Sequence, residues 1–231
     1  MIYYESRLGF ASYQSMLVRN AGLLRTGGVS SIELVIDCGA NVGFFSKMIA
    51  DVSPHATIHA IEPVPITFDC LKRNFSGMPR VHAHQLALSD LPGQLRMAVD
   101  ASDPSISHVD EGGEIIVPAI TLDEFVAQNE INGIDLLKID TETFEAHVLR
   151  GARSSLARTR YVLIEITIEN NEHYTLSSLM SLLHGDGFDF QLVAFRNYAD
   201  RGEGRIPIMD CLLVNRWTQE GRALSAAGSS R

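Results

Sequence analysis

The chain has 231 residues, 45% of them apolar, and a formal net charge of −9. Such a length and apolar share suit one domain with an ordinary core, and the acidic balance, without a dense Lys/Arg cluster, argues against a nucleic-acid partner and for a small molecule. There is no run of about 18 apolar residues, and the start MIYYESRLGF has no basic region ahead of an apolar stretch, so no membrane span or leader is expected, and the location expected is cytoplasmic. Cys38, Cys70 and Cys211 have no paired spacing and read as packed thiols.

Residues 1–30 read as a helical segment that packs on a sheet or, through Tyr3, Tyr4 and Phe10, covers a bound ligand. From Glu33 apolar runs of strand length alternate with helical patterns: ELVID, a helix to about Val52, TIHAIE, a helix to about Phe75, then VHAHQLAL. This alternation builds parallel βαβ units. After Asp90 it lapses into QLRMAV and EIIVPAI, an antiparallel pair inserted between parallel units. Thr121 and Glu124 have capping-box spacing and start a helix. IDLLKID, a helix through Leu156, YVLIEI, a helix from Leu176 to about His184, FDFQLVAF and DCLLV follow, the last two pairing antiparallel at the end of the sheet. Residues 218–231, rich in Ser, Ala and Gly, read as a frayed tail, which leaves 31–217 as the folded domain.

The stretch VIDCGANVGFFS carries the strongest chemical signal. Its strand ends at Asp37, and Val42, Phe45, Ile49 and Val52 share one face of the helix that follows, so the glycine corner lies at the carboxyl edge of the sheet. Ligands of open parallel sheets bind there, against a helix N-terminus. Gly39 and Gly43 let a ligand approach the main chain, but Asn41 and Phe44 break the G-x-G-x-x-G pattern of a dinucleotide site. Asp37 would repel a pyrophosphate and suits a ligand bearing an ammonium and a sulfonium, as S-adenosylmethionine (SAM) does. TIHAIE ends in Glu62, placed to accept both hydroxyls of a ribose, with Pro63 and Pro65 stiffening the next turn.

VIDCGANVGFFS, IHAIEPVP, LALSD, AITLDEF, KIDTETFEAHVLRGA and YVLIEI together resemble the FkbM-type SAM-dependent methyltransferases in order and spacing, from about residue 33 to 166. The resemblance implies an α/β, Rossmann-like class I methyltransferase fold: a mostly parallel seven-stranded sheet with an antiparallel last strand and helices on both faces. It also implies SAM as cofactor and O-methylation of a small-molecule hydroxyl, as on a sugar or polyketide. Carried over by position, Asp37, Gly39, Asn41 and Gly43 would hold the methionine end, Glu62 the ribose, and Leu88 and Ser89 the adenine edge. Ala40, Phe44, Phe45, Ser46, Pro63, Val64, Ala87 and Asp140 complete the implied cofactor site. The family usually has Glu-Gly where this chain has Glu142-Thr143, so Thr143 is expected to trim the acceptor pocket.

An aliphatic hydroxyl, with a pKa of about 15, needs a general base or a metal before it can accept a methyl group. Asp140 and Glu142, just past IDLLKI, are the first candidates for the base, followed by Glu165 at the end of YVLIEI and His173 in the polar segment beyond. Glu145 reads as an acid held by the first turn of its helix, and His147 as a solvated histidine. His55, His59, His82, His84, His108 and His184 show no metal-ligand spacing, and no metal site is assigned. Two rival readings stay open, a SAM-binding protein without transfer activity and a nicotinamide oxidoreductase, and so does a homo-oligomer.

Overall fold

The computed structural model describes residues 20–99, 107–168, 173–197 and 208–218. Its main sheet is built on β1 (Leu34–Cys38), whose parallel neighbours are β2 (Thr57–Ile61) and β8 (Ile134–Ile139). Beyond β2 lies β3 (Val81–His84), and beyond β8 lies β9 (Thr159–Thr167), both also parallel. β12 (Ile208–Asn215) pairs antiparallel with β9, and β11 (Phe188–Asn197) pairs antiparallel with β12. The two-residue β10 (His184–Gly185) extends this edge, giving eight strands in the order β10-β11-β12-β9-β8-β1-β2-β3. The last strand in sequence therefore slots between β9 and β11, inside the sheet.

Successive side chains of a strand point to opposite faces, and both faces here are apolar. Ile36, Ile61, Leu137 and Ile164 face α3 (Leu122–Gln128), α4 (Glu145–Arg150), α5 (Arg153–Leu156) and α6 (Leu176–Leu182). Val35, Ile58, Leu136 and Leu163 face α1 (Phe44–Val52) and the buried Leu23 and Leu24 of helical residues 20–26. α2 (Pro65–Asn74) closes over Ala60 through Leu71. Residues 23 and 24 thus pack on the sheet, while the expected lid residues Tyr3, Tyr4 and Phe10 and the tail 219–231 lie outside the described residues.

Three local expectations change. VHAHQLAL splits, with β3 staying in the main sheet and β4 (Ala87–Leu88) joining β7 (Ile115–Ile120). The inserted pair widens into a second sheet, β4-β7-β5-β6, with β5 (Gly93–Val99) and β6 (Ser107–Val109). The long helix through Leu156 breaks into α4 and α5 because α3 captures the junction: Asp123 N donates to Gly151 O at 3.0 Å, and the Asp123 carboxylate accepts from Ser154 N and Ser155 N at the start of α5. The capping box of Thr121 and Glu124 forms as its spacing requires.

Candidate functional site

The carboxyl ends of β1, β2 and β8 are tied by main chain. Gly39 N and Ala40 N both donate to Ile61 O, and Asp140 N donates to Cys38 O. Their loops surround a cavity of about 280 Å³ whose wall includes Gly39, Ala40, Asn41, Phe44, Phe45, Glu62, Pro63, Ala87, Leu88, Asp140 and Glu142. The second sheet supplies Met97, Ser107 and Val109, and Lys138, Thr141 and Phe144 complete the β8 side. Val64 and Ser89, both buried, and Gly43 stand behind this wall.

What lies against the glycine corner is the protein itself. A Cβ on Gly39, at φ 77°, would overlap the Asp140 carbonyl, and one on Gly43, at φ 95°, would overlap the Phe75 ring. These glycines let chain segments meet, and the cavity receives the main chain of Gly39 and the first residues of α1. That helix has no side-chain cap and no acid in its first turn, so it turns the positive end of a helix dipole toward an anionic group.

Asp37, expected to touch the ligand, is fully buried outside the cavity wall. It accepts a hydrogen bond from Ser46 Oγ at 2.6 Å and faces the Lys138 ammonium at 3.4 Å. Lys138 also donates to Gly39 O at 2.9 Å and pairs with Asp140 at 3.1 Å. Burial pulls the ammonium pKa down, but Asp140 and Asp37 outweigh burial and hold it above the usual lysine range. Lys138 escaped the sequence reading, although a lysine inside the apolar run IDLLKI was itself a signal, since buried lysines need partners.

Glu62 lines the cavity, yet Oε1 accepts from Val64 N and Thr67 Oγ1 and Oε2 from Asn41 N, each at 2.9 Å. A carboxylate has about four acceptor positions. With three filled, Glu62 has room for one hydroxyl of a ribose, where the sequence suggested two. Burial pushes its pKa up against these hydrogen bonds.

Asp140, Glu142 and Glu165 bring carboxylate oxygens within 4.8 Å of one another, an arrangement that can take up positive charge, from a cationic ligand or a divalent ion. Asp210 lies opposite Glu165 across β9 and β12. Glu142 is exposed as a whole, but partial desolvation of its carboxyl, then the charge of Asp140, raises its pKa to about 7, and burial together with Asp140, Asp210 and Glu142 raises that of Glu165 to about 9. His173 is exposed and acts electrostatically on His147. His147, expected in solvent, is half-buried and stacks on Phe144 with centroids 4.1 Å apart. Glu145 is buried and structural: it accepts from Thr141 N at 3.0 Å and from the Tyr174 hydroxyl at 2.7 Å, pinning the 140–144 loop. Burial raises the thiol pKa of Cys38, and takes that of Cys211 to about 12, as inert packed thiols require.

A folded-state pKa raised above the unfolded value near 4.5 means that the group favours folding fully below pH 4.5 and less as pH climbs through the folded value. Glu165→Gln is therefore expected to match the wild type in stability near pH 4.5 and to exceed it by roughly 1 to 3 kcal/mol near pH 9, after discounting for partial exposure and coupling. Urea unfolding of the ligand-free protein at both pH values checks this.

Glu142 and Thr143 are both left-handed, at φ 51° and 76°, and Thr143 stands behind the cavity wall. The glycine usual in the family suits this backbone, so Thr143 bears strain there. Thr143→Gly is expected to add about 1 kcal/mol of stability, since a left-handed β-branched residue costs roughly 1 to 2 kcal/mol and glycine's looser unfolded chain returns part of it. Thermal unfolding reads the change.

The cavity's chemistry fits SAM: an open helix end for a carboxylate, a surplus of acids for the ammonium and sulfonium, one free position on Glu62, and Leu88, Met97 and Val109 as an apolar strip. The dinucleotide alternative meets carboxylates where a pyrophosphate would need cations. The chain is 30% identical over 192 residues to the 31-O-demethyl-FK506 methyltransferase FkbM of Streptomyces tacrolimicus, covering 68% of this chain and 72% of that protein. It is 24% identical to the 2-O-methyltransferase NoeI of Sinorhizobium fredii, covering 70% and 73%. It is 29% identical to the hexuronic acid methyltransferase AglP of Haloferax volcanii, covering 58% of this chain and 56% of that one. The fold is shared with the METTL16 methyltransferase domain (TM-score 0.52, 11% identity, 86% of this chain and 66% of that) and with TrmN of Thermus thermophilus (0.51, 15%, 86% and 48%). Residues 37–190 match the Methyltransferase FkbM domain, and with the site built as above the chain belongs to that family of SAM-dependent methyltransferases.

Proposed function

We propose that the protein methylates a hydroxyl oxygen of a small sugar-like or polyketide-like acceptor, in the cytoplasm, with Glu142 as the general base. The observation that carries this reading is the position of Glu142: exposed at the mouth of the cavity it lines, beside the start of α1, it has its pKa raised to about 7 by partial desolvation and the charge of Asp140. A base titrating near neutrality is both free to accept a proton and basic enough to hold it. Bound SAM supplies an electrophilic methyl group on a sulfonium. The chain's own residues then do four things. The positive end of the α1 dipole faces the ligand's carboxylate, the acids of the 140–142 loop offset its positive charge, Glu62 receives a ribose hydroxyl, and Glu142 takes the acceptor's proton.

The names of the FkbM and NoeI relatives specify oxygen positions, and that of AglP an oxygen-rich sugar acid, which supports oxygen as the methyl acceptor. Among the described residues no helix is long and apolar enough to cross a membrane. That Thr143 does not line the cavity favours transfer over the blocked-pocket alternative. The test is incubation with SAM and a panel of sugar and polyketide alcohols, read by mass spectrometry for product gaining one methylene and for demethylated SAM. Methylation at oxygen is expected. Calorimetric binding of SAM with no turnover on any alcohol would overturn the reading, as would methylation confined to nitrogen or carbon.

A further inference from the structure

A group of histidines lies away from this cavity, at the β3 edge of the main sheet. His82 and His84 alternate on β3 and so share one face, and the register places His59 of β2 directly beside His82. His59 Nδ1 lies 3.1 Å from His84 Nε2. The His59 ring stands 5.2 Å from each of the other two rings, centroid to centroid. Phe125 of α3 meets both His59 and His84 edge-on, which fixes those two rings from behind. His59 is buried, His84 half-buried and His82 exposed.

We propose that His59, His82 and His84 form a binding site for a divalent transition cation of the zinc, cobalt and nickel kind. Two nitrogens on a tetrahedral zinc, each bonded at about 2.0 to 2.1 Å, are about 3.3 Å apart, close to the separation already present between His59 and His84. The facing nitrogens of that pair now share one hydrogen. The donor ring can shift this hydrogen to its other nitrogen, so both lone pairs become available to a cation without loss of a proton. Exposed His82 turns about its side-chain torsions to bring the third nitrogen. Three neutral nitrogens without a carboxylate select a borderline cation over magnesium or calcium, and a water completes the shell. The bound ion would join β2 to β3 across the sheet's edge.

The test uses protein without an oligohistidine tag, titrated with zinc chloride by calorimetry and with cobalt chloride by visible absorption at about pH 7.5. One ion per chain is expected, with affinity at least tenfold weaker in both His84→Gln and His82→Gln. Glu165→Gln, which alters the acidic group of the cavity, is expected to leave binding unchanged. Absence of saturable binding up to about 0.2 mM ion would overturn the site. So would binding that His82→Gln leaves intact, since that exposed position can be changed without disturbing the fold, or binding lost in Glu165→Gln, which would place the ion among the acids.

Discussion

Glu142→Gln is expected to bind SAM within a few-fold of the wild type and to lose about 100-fold or more in kcat. Glutamine keeps the size and left-handed backbone of this position but cannot accept a proton. Methyl transfer is an in-line displacement, so the acceptor oxygen sits roughly 3 Å from the methyl carbon and alignment supplies much of the rate. What Glu142 adds is removal of the acceptor's proton. The deficit should therefore shrink for a phenol, whose pKa of about 10 makes the base less necessary than it is for an alcohol. Asp140 is the weaker candidate because its carboxylate is already engaged by Lys138, 3.1 Å away. Glu165, raised to about 9, is still protonated where Glu142 titrates near 7, so Glu165→Gln should leave the acidic limb of the kcat/KM profile in place with a much smaller loss of kcat. Full activity of Glu142→Gln beside an inactive Asp140→Asn would transfer the base to Asp140.

Lys138→Met is expected to destabilise the ligand-free protein by about 3 to 5 kcal/mol, the usual cost of leaving one partner of a buried ion pair alone. Methionine fills most of the space, which isolates the electrostatic loss. Asp37, fully buried, would keep Ser46 and lose the cation facing its other oxygen, and the Gly39 carbonyl would lose its donor. The double variant Lys138→Met with Asp37→Asn removes the stranded charge and is expected to recover more than half of the loss. Urea unfolding of both variants decides it, and a cost under about 1 kcal/mol for the single change would show that the pair does not hold the corner together.

The alternation of VID, TIHAI and IDLLKI with amphipathic helices was enough to read the parallel sheet and the edge at which the loops meet, because those signals are local. The partners across that edge were not legible. Gly39 is bare on account of the Asp140 carbonyl, and Asp37 faces Lys138, and both partners lie far along the chain, on or just past a strand whose register no local pattern reveals. The same holds for His59 beside His82, and for Asp123, whose reach into the start of α5 cut a helix that periodicity alone made continuous. Of the site, the cavity's position and most of its β1 and β2 lining could be read, whereas the division of labour among Asp37, Lys138, Asp140 and Glu142 depends on which charge is buried next to which.

The two sheets meet at the cavity, with Met97, Ser107 and Val109 on one bank and Asn41, Glu62 and Glu142 on the other. A ligand lodged there acts as mortar between two separately hydrogen-bonded slabs. Occupancy should be felt along the whole of β5 and β6 as slower amide exchange, well beyond the few side chains that touch the ligand. It follows that grafting the β5–β6 segment from a relative would alter which molecules fit without disturbing the strands that carry the base.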